Sequence, residues 1–228
     1  MRAPVVWPGG KGGMLRKLLP LIPPGGEPYC EPYAGAAWVL FARPPAPAEV
    51  LNDLDGDLIN LFRVLQDRTR CRELYRRLRY TLYARAELVR AMDILRNGST
   101  DPVERAWAYF VARNQSVSGK LPTGPGNWSR RFTSSSGTVT ARWSTRLALI
   151  PAWRRRLQLV QIDQMDALDV LDYWDNPAAV FYVDPPYHPD CVHGLEEFYR
   201  SVPARDHYPA LVDRLLRCCA LRVRSSRV

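Results

Sequence analysis

One stretch restricts the fold of this chain more than any other: Ala178-Ala179-Val180-Phe181-Tyr182-Val183 is apolar throughout and stops on Asp184-Pro185-Pro186-Tyr187. An apolar run without alternation suits a strand buried on both faces, the kind found in the middle of a parallel sheet. Ligands in open α/β sheets bind at the carboxyl ends of strands, so the tetrapeptide lies where chemistry is done. Its two prolines fix φ and remove two backbone donors, which stiffens the turn and leaves its carbonyls as acceptors. A carboxylate beside a fixed carbonyl accepts both hydrogens of an exocyclic amine, and an aromatic one step on offers a face for a planar base. These residues alone leave adenine, cytosine and glutamine amides open as substrates. They also leave open a plain turn with a tyrosine packed on prolines.

The upstream sequence supplies neighbours for such a strand. Tyr29-Cys30-Glu31-Pro32-Tyr33-Ala34-Gly35 reads as a strand end turning into a helix over 36–41, stopped by Pro44-Pro45. Glu49-Val50-Leu51-Asn52-Asp53 is a second short strand, and Leu54, Leu58, Leu61, Phe62 and Leu65 follow at helical spacing. Strand, helix, strand, helix in this order predicts a parallel sheet. Ahead of it lie the glycine-rich Pro8-Gly9-Gly10-Lys11-Gly12-Gly13 and a short helix over 14–21. An arginine-dense helical region follows from about 67 to 96, and Asp101-Pro102 is a good helix start. Residues 114–143, poor in apolar side chains, read as a long loop, and a loop of that length inside a compact domain is usually functional. Residues 157–163 alternate as a strand, with helices over 165–171 and 206–218.

Composition narrows the class. The apolar share of 46% and charged share of 24% are those of a folded soluble chain. No apolar run approaches the roughly 18 residues that cross a bilayer, so no membrane partner is expected. The start has no apolar core with a small-residue cleavage site behind it, which argues against secretion. Five cysteines, Cys30, Cys71, Cys191, Cys218 and Cys219, never take a C-x-x-C spacing, so reduced thiols in a cytoplasm are expected rather than disulfides or zinc. The net charge of +9 favours a polyanionic partner such as nucleic acid. Almost all of it is arginine, with Lys11, Lys17 and Lys120 the lysines, and coding bias alone produces that pattern too.

The catalytic tetrapeptide has company. Trp7-Pro8-Gly9-Gly10-Lys11, Tyr29-Cys30-Glu31-Pro32-Tyr33-Ala34-Gly35, Asn52-Asp53-Leu54-Asp55 and Asp184-Pro185-Pro186-Tyr187 occur in that order. With these four blocks the sequence resembles the Dam-like family of DNA adenine N6-methyltransferases, over nearly the whole chain and loosely between 67 and 157. The resemblance implies a Rossmann-like α/β methyltransferase fold using S-adenosylmethionine, with no metal and with double-stranded DNA as substrate. A restriction enzyme partner is compatible with it. It implies that residues 1–66 and 151–228 form the catalytic, cofactor-binding domain and residues 67–150 a helical, loop-rich target-recognition insertion. Trp7, Lys11, Glu31, Gly35, Asp53 and Asp184 would contact the cofactor, Asp53 through the ribose hydroxyls. Asp184, Pro185, Pro186 and Tyr187 would form the catalytic turn. Arg113-Asn114-Gln115-Ser116-Val117-Ser118-Gly119-Lys120 resembles the family's polar stretch in the recognition region. Arg113, Asn114, Gln115, Ser118, Lys120, Arg130 and Arg131 are therefore the expected DNA contacts, since arginine, asparagine and glutamine read base edges bidentately. Arg76, Arg77 and Arg79 are expected phosphate contacts.

Two departures stand out. The family usually has Gly-Gly where this chain has Gly35-Ala36-Ala37, and an added methyl group crowds a close approach to backbone. Residues 220–228 also read as a truncated or frame-changed tail where the family has a fifth strand. Alternatives to adenine methylation are therefore an N4-cytosine methyltransferase and a catalytically impaired remnant that still binds DNA.

Overall fold

The computed structural model describes residues 1–24, 28–121, 127–130, 132–133, 137–188, 190–191 and 205–224. Its strands are β1 Tyr29–Glu31, β2 Glu49–Asn52, β3 Phe132–Thr133, β4 Gly137–Thr138, β5 Gln161–Asp163, β6 Val180–Val183 and β7 Leu221–Arg224. Its α-helices begin with α1 Leu15–Leu18, α2 Trp38–Ala42, α3 Gly56–Gln66, α4 Arg68–Arg79 and α5 Arg85–Asn97. They continue with α6 Pro102–Gln115, α7 Val139–Leu157, α8 Ala167–Trp174 and α9 His207–Arg217. The chain forms two compact units, one of residues 1–2, 10–59 and 159–228 and the other of residues 3–9 and 60–158.

The first unit is built on a five-stranded sheet in the order β5-β2-β1-β6-β7, with every neighbouring pair parallel. Every residue of β1, β2 and β6 is buried; β6 is an apolar run as a strand covered on both faces requires, whereas β1 and β2 also bury Glu31, Glu49 and Asn52. Ala179, Phe181 and Val183 share one face with Val170 and Leu171 of α8 and Leu211 and Leu215 of α9. Each large apolar side chain so buried stabilises the unit by roughly 1.5–3 kcal/mol relative to exposure. From β1 the chain steps to β2 and β5 on one side, then returns to place β6 and β7 on the other. The order therefore reverses between β1 and β6, and a crevice outside their carboxyl ends is where such sheets bind ligands.

The tail differs from the sequence expectation. Residues Leu221–Arg224 form a strand paired in parallel with β6, from Val180 opposite Leu221 to Val183 opposite Arg224. The alternation Leu221-Arg222-Val223-Arg224 has the strand period. The long-range cause is Asp175, which follows α8. Its carboxylate accepts hydrogen bonds from Cys218 Sγ at 2.9 Å, Cys219 N–H at 3.0 Å and Ala220 N–H at 2.9 Å, and so holds the entry to β7. With β7 in place, β6 has a neighbour on each side.

The second unit is mainly helical. Asp101 caps α6, its side chain accepting the Val103 N–H, and Pro102 occupies the first helical position, as the sequence predicts. Helix α6 is buried along most of its length, including Trp107, Tyr109, Phe110 and Val111. The arginine-dense region is two helices, α4 and α5, rather than one. The break at Thr81 and Leu82 is held from α6, whose Trp107 Nε1 donates to Thr81 Oγ1 and whose Gln115 Nε2 donates to the Leu82 carbonyl. Helix α7 begins inside the expected loop, at a Thr138 cap, and continues to Leu157, so the following strand starts only at Gln161. Among the described residues, no helix is long and apolar enough to cross a membrane.

The three acceptor contacts of Asp175 make it the fastening of β7. Asp175→Ala is expected to lower stability by about 1–3 kcal/mol, measured by urea denaturation. An unchanged midpoint would remove Asp175 as the anchor of that strand.

Candidate active site

Glu31 is the last residue of β1 and is 1% exposed. Its Oε1 accepts the Tyr29 hydroxyl at 2.8 Å and the Leu40 N–H at 2.7 Å. Burial pushes its carboxyl up to about 8 against the pull of those two hydrogen bonds, and the nearby Asp184 carboxylate adds to the rise. Asp184 follows β6 directly, and its Oδ1 pairs with Lys11 Nζ at 2.9 Å. Their side chains are 19% and 13% exposed, a setting in which a lone charge is costly and a pair is tolerated. Near neutral pH the Glu31 carboxyl therefore keeps its proton, beside the Lys11–Asp184 ion pair.

The tip of β2 joins this edge through its side chains. Asn52 is fully buried, and its amide donates to the Pro32 and Met165 carbonyls at 3.0 Å each while accepting the Met165 N–H at 2.9 Å. It ties the segments that follow β1 and β5 to the end of β2. Asp53 Oδ2 accepts the Gly35 N–H at 2.8 Å and Oδ1 the Asp55 N–H at 2.9 Å. Asp55 in turn accepts N–H groups of Asp57 and Leu58 and starts α3. The sequence marked Asn52 and Asp55 only as members of a motif; a polar run straight after an apolar strand is the signal that they fix loops.

The loop from Gly35 to α2 is bent. Gly35 has φ 47°, and Ala37, which precedes α2, has φ 54° in the left-handed region. A non-glycine residue there costs roughly 1–2 kcal/mol, so the departure from Gly-Gly takes the form of backbone strain at Ala37. Ahead of the sheet, a Cβ on Gly12 would stand 2.9 Å from the Trp38 ring, so the glycine permits Lys11–Gly13 to lie against the start of α2.

The Asp184–Tyr187 turn is held from α9. Tyr208 Oη donates toward the Tyr187 carbonyl at 2.9 Å and the Pro186 carbonyl at 3.3 Å, so these two are not the open acceptors that the prolines suggested. Pro185 is half-buried, and the Tyr187 side chain is exposed, at 46%.

The other expected site residues lie in the second unit. The Arg113 guanidinium stands 4.3 Å from the centroid of the Trp7 ring and 5.1 Å from that of Tyr109, and it donates to the Gly119 carbonyl at 2.9 Å. Arg113 and Gln115, two of the expected base contacts, are fully buried. Asn114 clamps the Trp7 segment, accepting the Val6 N–H and donating to the Pro4 carbonyl, each at 3.2 Å. Ser118 and Arg130 are exposed and Lys120 half-buried, while Arg131 lies outside the described residues. Glu73 binds both Arg76 and Arg77, Arg77 also reaches Asp101, and Arg79 stacks toward Tyr75. These arginines already have counter-charges or ring partners within the unit.

The raised Glu31 carboxyl makes stability depend on pH. The folded state keeps a proton that the unfolded chain loses above about 4.5, so stability is highest below that value and falls as pH rises to about 8. Glu31→Gln keeps the Oε1 acceptor without the titration. The variant is expected to overtake the parent in stability by about 1–3 kcal/mol between pH 5 and pH 8, read from denaturation midpoints. Parallel pH profiles would show that Glu31 is not held protonated.

Among the described residues no group of three or more His, Cys, Asp or Glu side chains is placed to hold a metal ion. No curated protein matches the chain. A family of D12 class N6 adenine-specific DNA methyltransferases matches residues 7–201, a span that holds Lys11, Glu31, Asp53 and the Asp184–Tyr187 turn. The chain belongs to that family of adenine-specific DNA methyltransferases.

Proposed function

We propose that this protein transfers the methyl group of S-adenosylmethionine to N6 of a flipped-out adenine at a specific site in double-stranded DNA. The observation that carries the reading is Asp184, held by Lys11 at the carboxyl end of β6, where the strand order reverses beside Glu31.

The acid groups of the first unit fit such a donor. Glu31, Asp53 and Asp184 stand at the ends of β1, β2 and β6, and carboxylates accept both hydroxyl and ammonium hydrogens. Asp53 accepts the Gly35 and Asp55 N–H groups through different oxygens, and a carboxylate is the acceptor type that ribose hydroxyls require. A cation arriving beside Glu31 favours its ionised form, so cofactor binding is coupled to release of the Glu31 proton. When bound, S-adenosylmethionine supplies a methyl group on a sulfonium, which needs no metal to leave.

Adenine N6 is a poor nucleophile because its lone pair is delocalised into the ring. The Asp184 carboxylate and the Pro185 carbonyl accept its two hydrogens and draw density toward nitrogen as the new bond forms. Lys11 holds the Asp184 carboxyl at the end of β6, and the proton that the methylated amine sheds passes to that carboxylate as the carbon–sulfur bond breaks. Moving the base out of the duplex costs a few kcal/mol, and stacking on the exposed Tyr187 offsets roughly 1–3 kcal/mol of it. In the recognition region, Ser118, Lys120 and Arg130 remain the proposed DNA contacts, whereas Arg113, Asn114 and Gln115 support the second unit from within.

Asp184→Asn keeps the shape of the turn but weakens the acceptor. Methyl incorporation into unmethylated DNA is expected to fall by at least about 10²-fold, with an unchanged circular dichroism spectrum. Near-parental incorporation would remove Asp184 from the reaction. Lys120→Ala and Arg130→Ala are each expected to lower the slope of log affinity against log salt by about 0.9, the value for one phosphate contact. Slopes that stay at the parental value would place these side chains off the DNA.

A further inference from the structure

The first turn of α9 touches the segments that follow both central strands. His207 Nε2 lies 2.6 Å from the hydroxyl of Tyr33, two residues past Glu31, with the two rings edge-on. The next residue, Tyr208, places its hydroxyl on the Tyr187 and Pro186 carbonyls, three and two residues past Asp184. Both residues lie beyond the span that matches the family.

We infer that His207-Tyr208 is a positioning clamp for the methyl-transfer site, with Tyr208 fixing the Pro185-Pro186-Tyr187 turn and His207 tying it to the loop after β1. The inference rests on the methyltransferase reading proposed above. A hydroxyl carries a single hydrogen, and the shorter contact marks Tyr187 as its main acceptor. Burial raises the Tyr208 pKa, which keeps the hydroxyl protonated and donating. Prolines fix φ but leave ψ free, so Pro185 and Pro186 alone do not settle where the turn's carbonyls aim. Drawing the Pro186 and Tyr187 carbonyls toward α9 leaves the Asp184 carboxylate and the Pro185 carbonyl as the pair facing the amine. The same contact sets the backbone from which the exposed Tyr187 ring projects. His207 adds the second point: its bond to Tyr33 links this turn to the loop that carries Gly35. Small misplacements of reacting groups are costly in rate, so the clamp acts on turnover more than on binding.

The test compares the parent with Tyr208→Phe, which keeps the ring and deletes the hydroxyl. Amide hydrogen exchange in the ligand-free protein is expected to quicken about tenfold in a peptide spanning 184–188 and stay unchanged in one spanning 49–53. With unmethylated DNA as substrate, kcat is expected to fall about tenfold while the Kd for S-adenosylmethionine stays within about twofold. Tyr33→Phe, which cuts the other point of the clamp, is expected to shift kcat the same way and serves as the test if Tyr208→Phe fails to fold. Unchanged exchange over 184–188, or kcat and cofactor affinity falling together with the melting temperature, overturns the clamp. A parent that transfers no methyl group to DNA overturns the methyltransferase reading instead, and the exchange comparison still decides whether the turn is clamped.

Discussion

Two carboxyl groups that end adjacent, buried strands repel each other, and the arrangement around β1 and β6 answers that repulsion in two ways. Glu31 keeps a proton, because the cost of charging it so far from water outweighs the pull of the Tyr29 and Leu40 hydrogen bonds and of the Arg43 charge. Asp184 is paired with Lys11. The asymmetry follows from position: Glu31 lies within the sheet, whereas Asp184 lies one step past it, within reach of the segment that follows the glycines. The site therefore holds a neutral acid and an ion pair side by side.

Around these two groups, loops are ordered by side chains bonded to backbone. Asn52, Asp53, Asp55 and Asp175 each accept or donate to main-chain groups that regular structure leaves unpaired at strand and helix ends. Such bonds are individually worth about 1 kcal/mol. Their larger effect is to narrow the range of loop conformations, which is what a reaction controlled by alignment requires. Ala37 shows the opposing cost, since the loop keeps its bend although a methyl group makes that bend unfavourable.

The second unit shows how an arginine-rich composition misleads when read as surface. Arg113 is buried between rings and bonded to a carbonyl, and Arg76 and Arg77 share one glutamate. A guanidinium is weakly hydrated and flat, so it packs on aromatic faces at small cost and serves as interior structure. Net charge therefore overstates how many cations face an anionic partner.

The sequence by itself determined the sheet's central strands, their parallel pairing and the four motif blocks, because an apolar run such as Val180–Val183 and a cap such as Asp101 are local signals with local causes. The family, too, was readable from the ordered blocks, and residues 7–201 match it. Tertiary structure alone decided the rest. The division of the arginine-dense region into α4 and α5 depends on Trp107 and Gln115, which lie well along the chain from Thr81 and Leu82. Strand β7 depends on Asp175, more than forty positions upstream of the residues it holds. The interior places of Arg113 and Gln115 and the contacts of Tyr208 with the Pro186 and Tyr187 carbonyls are likewise set by partners distant in sequence. A polar side chain carries no local mark of whether it faces water or another part of the chain, and only the packed fold supplies that information.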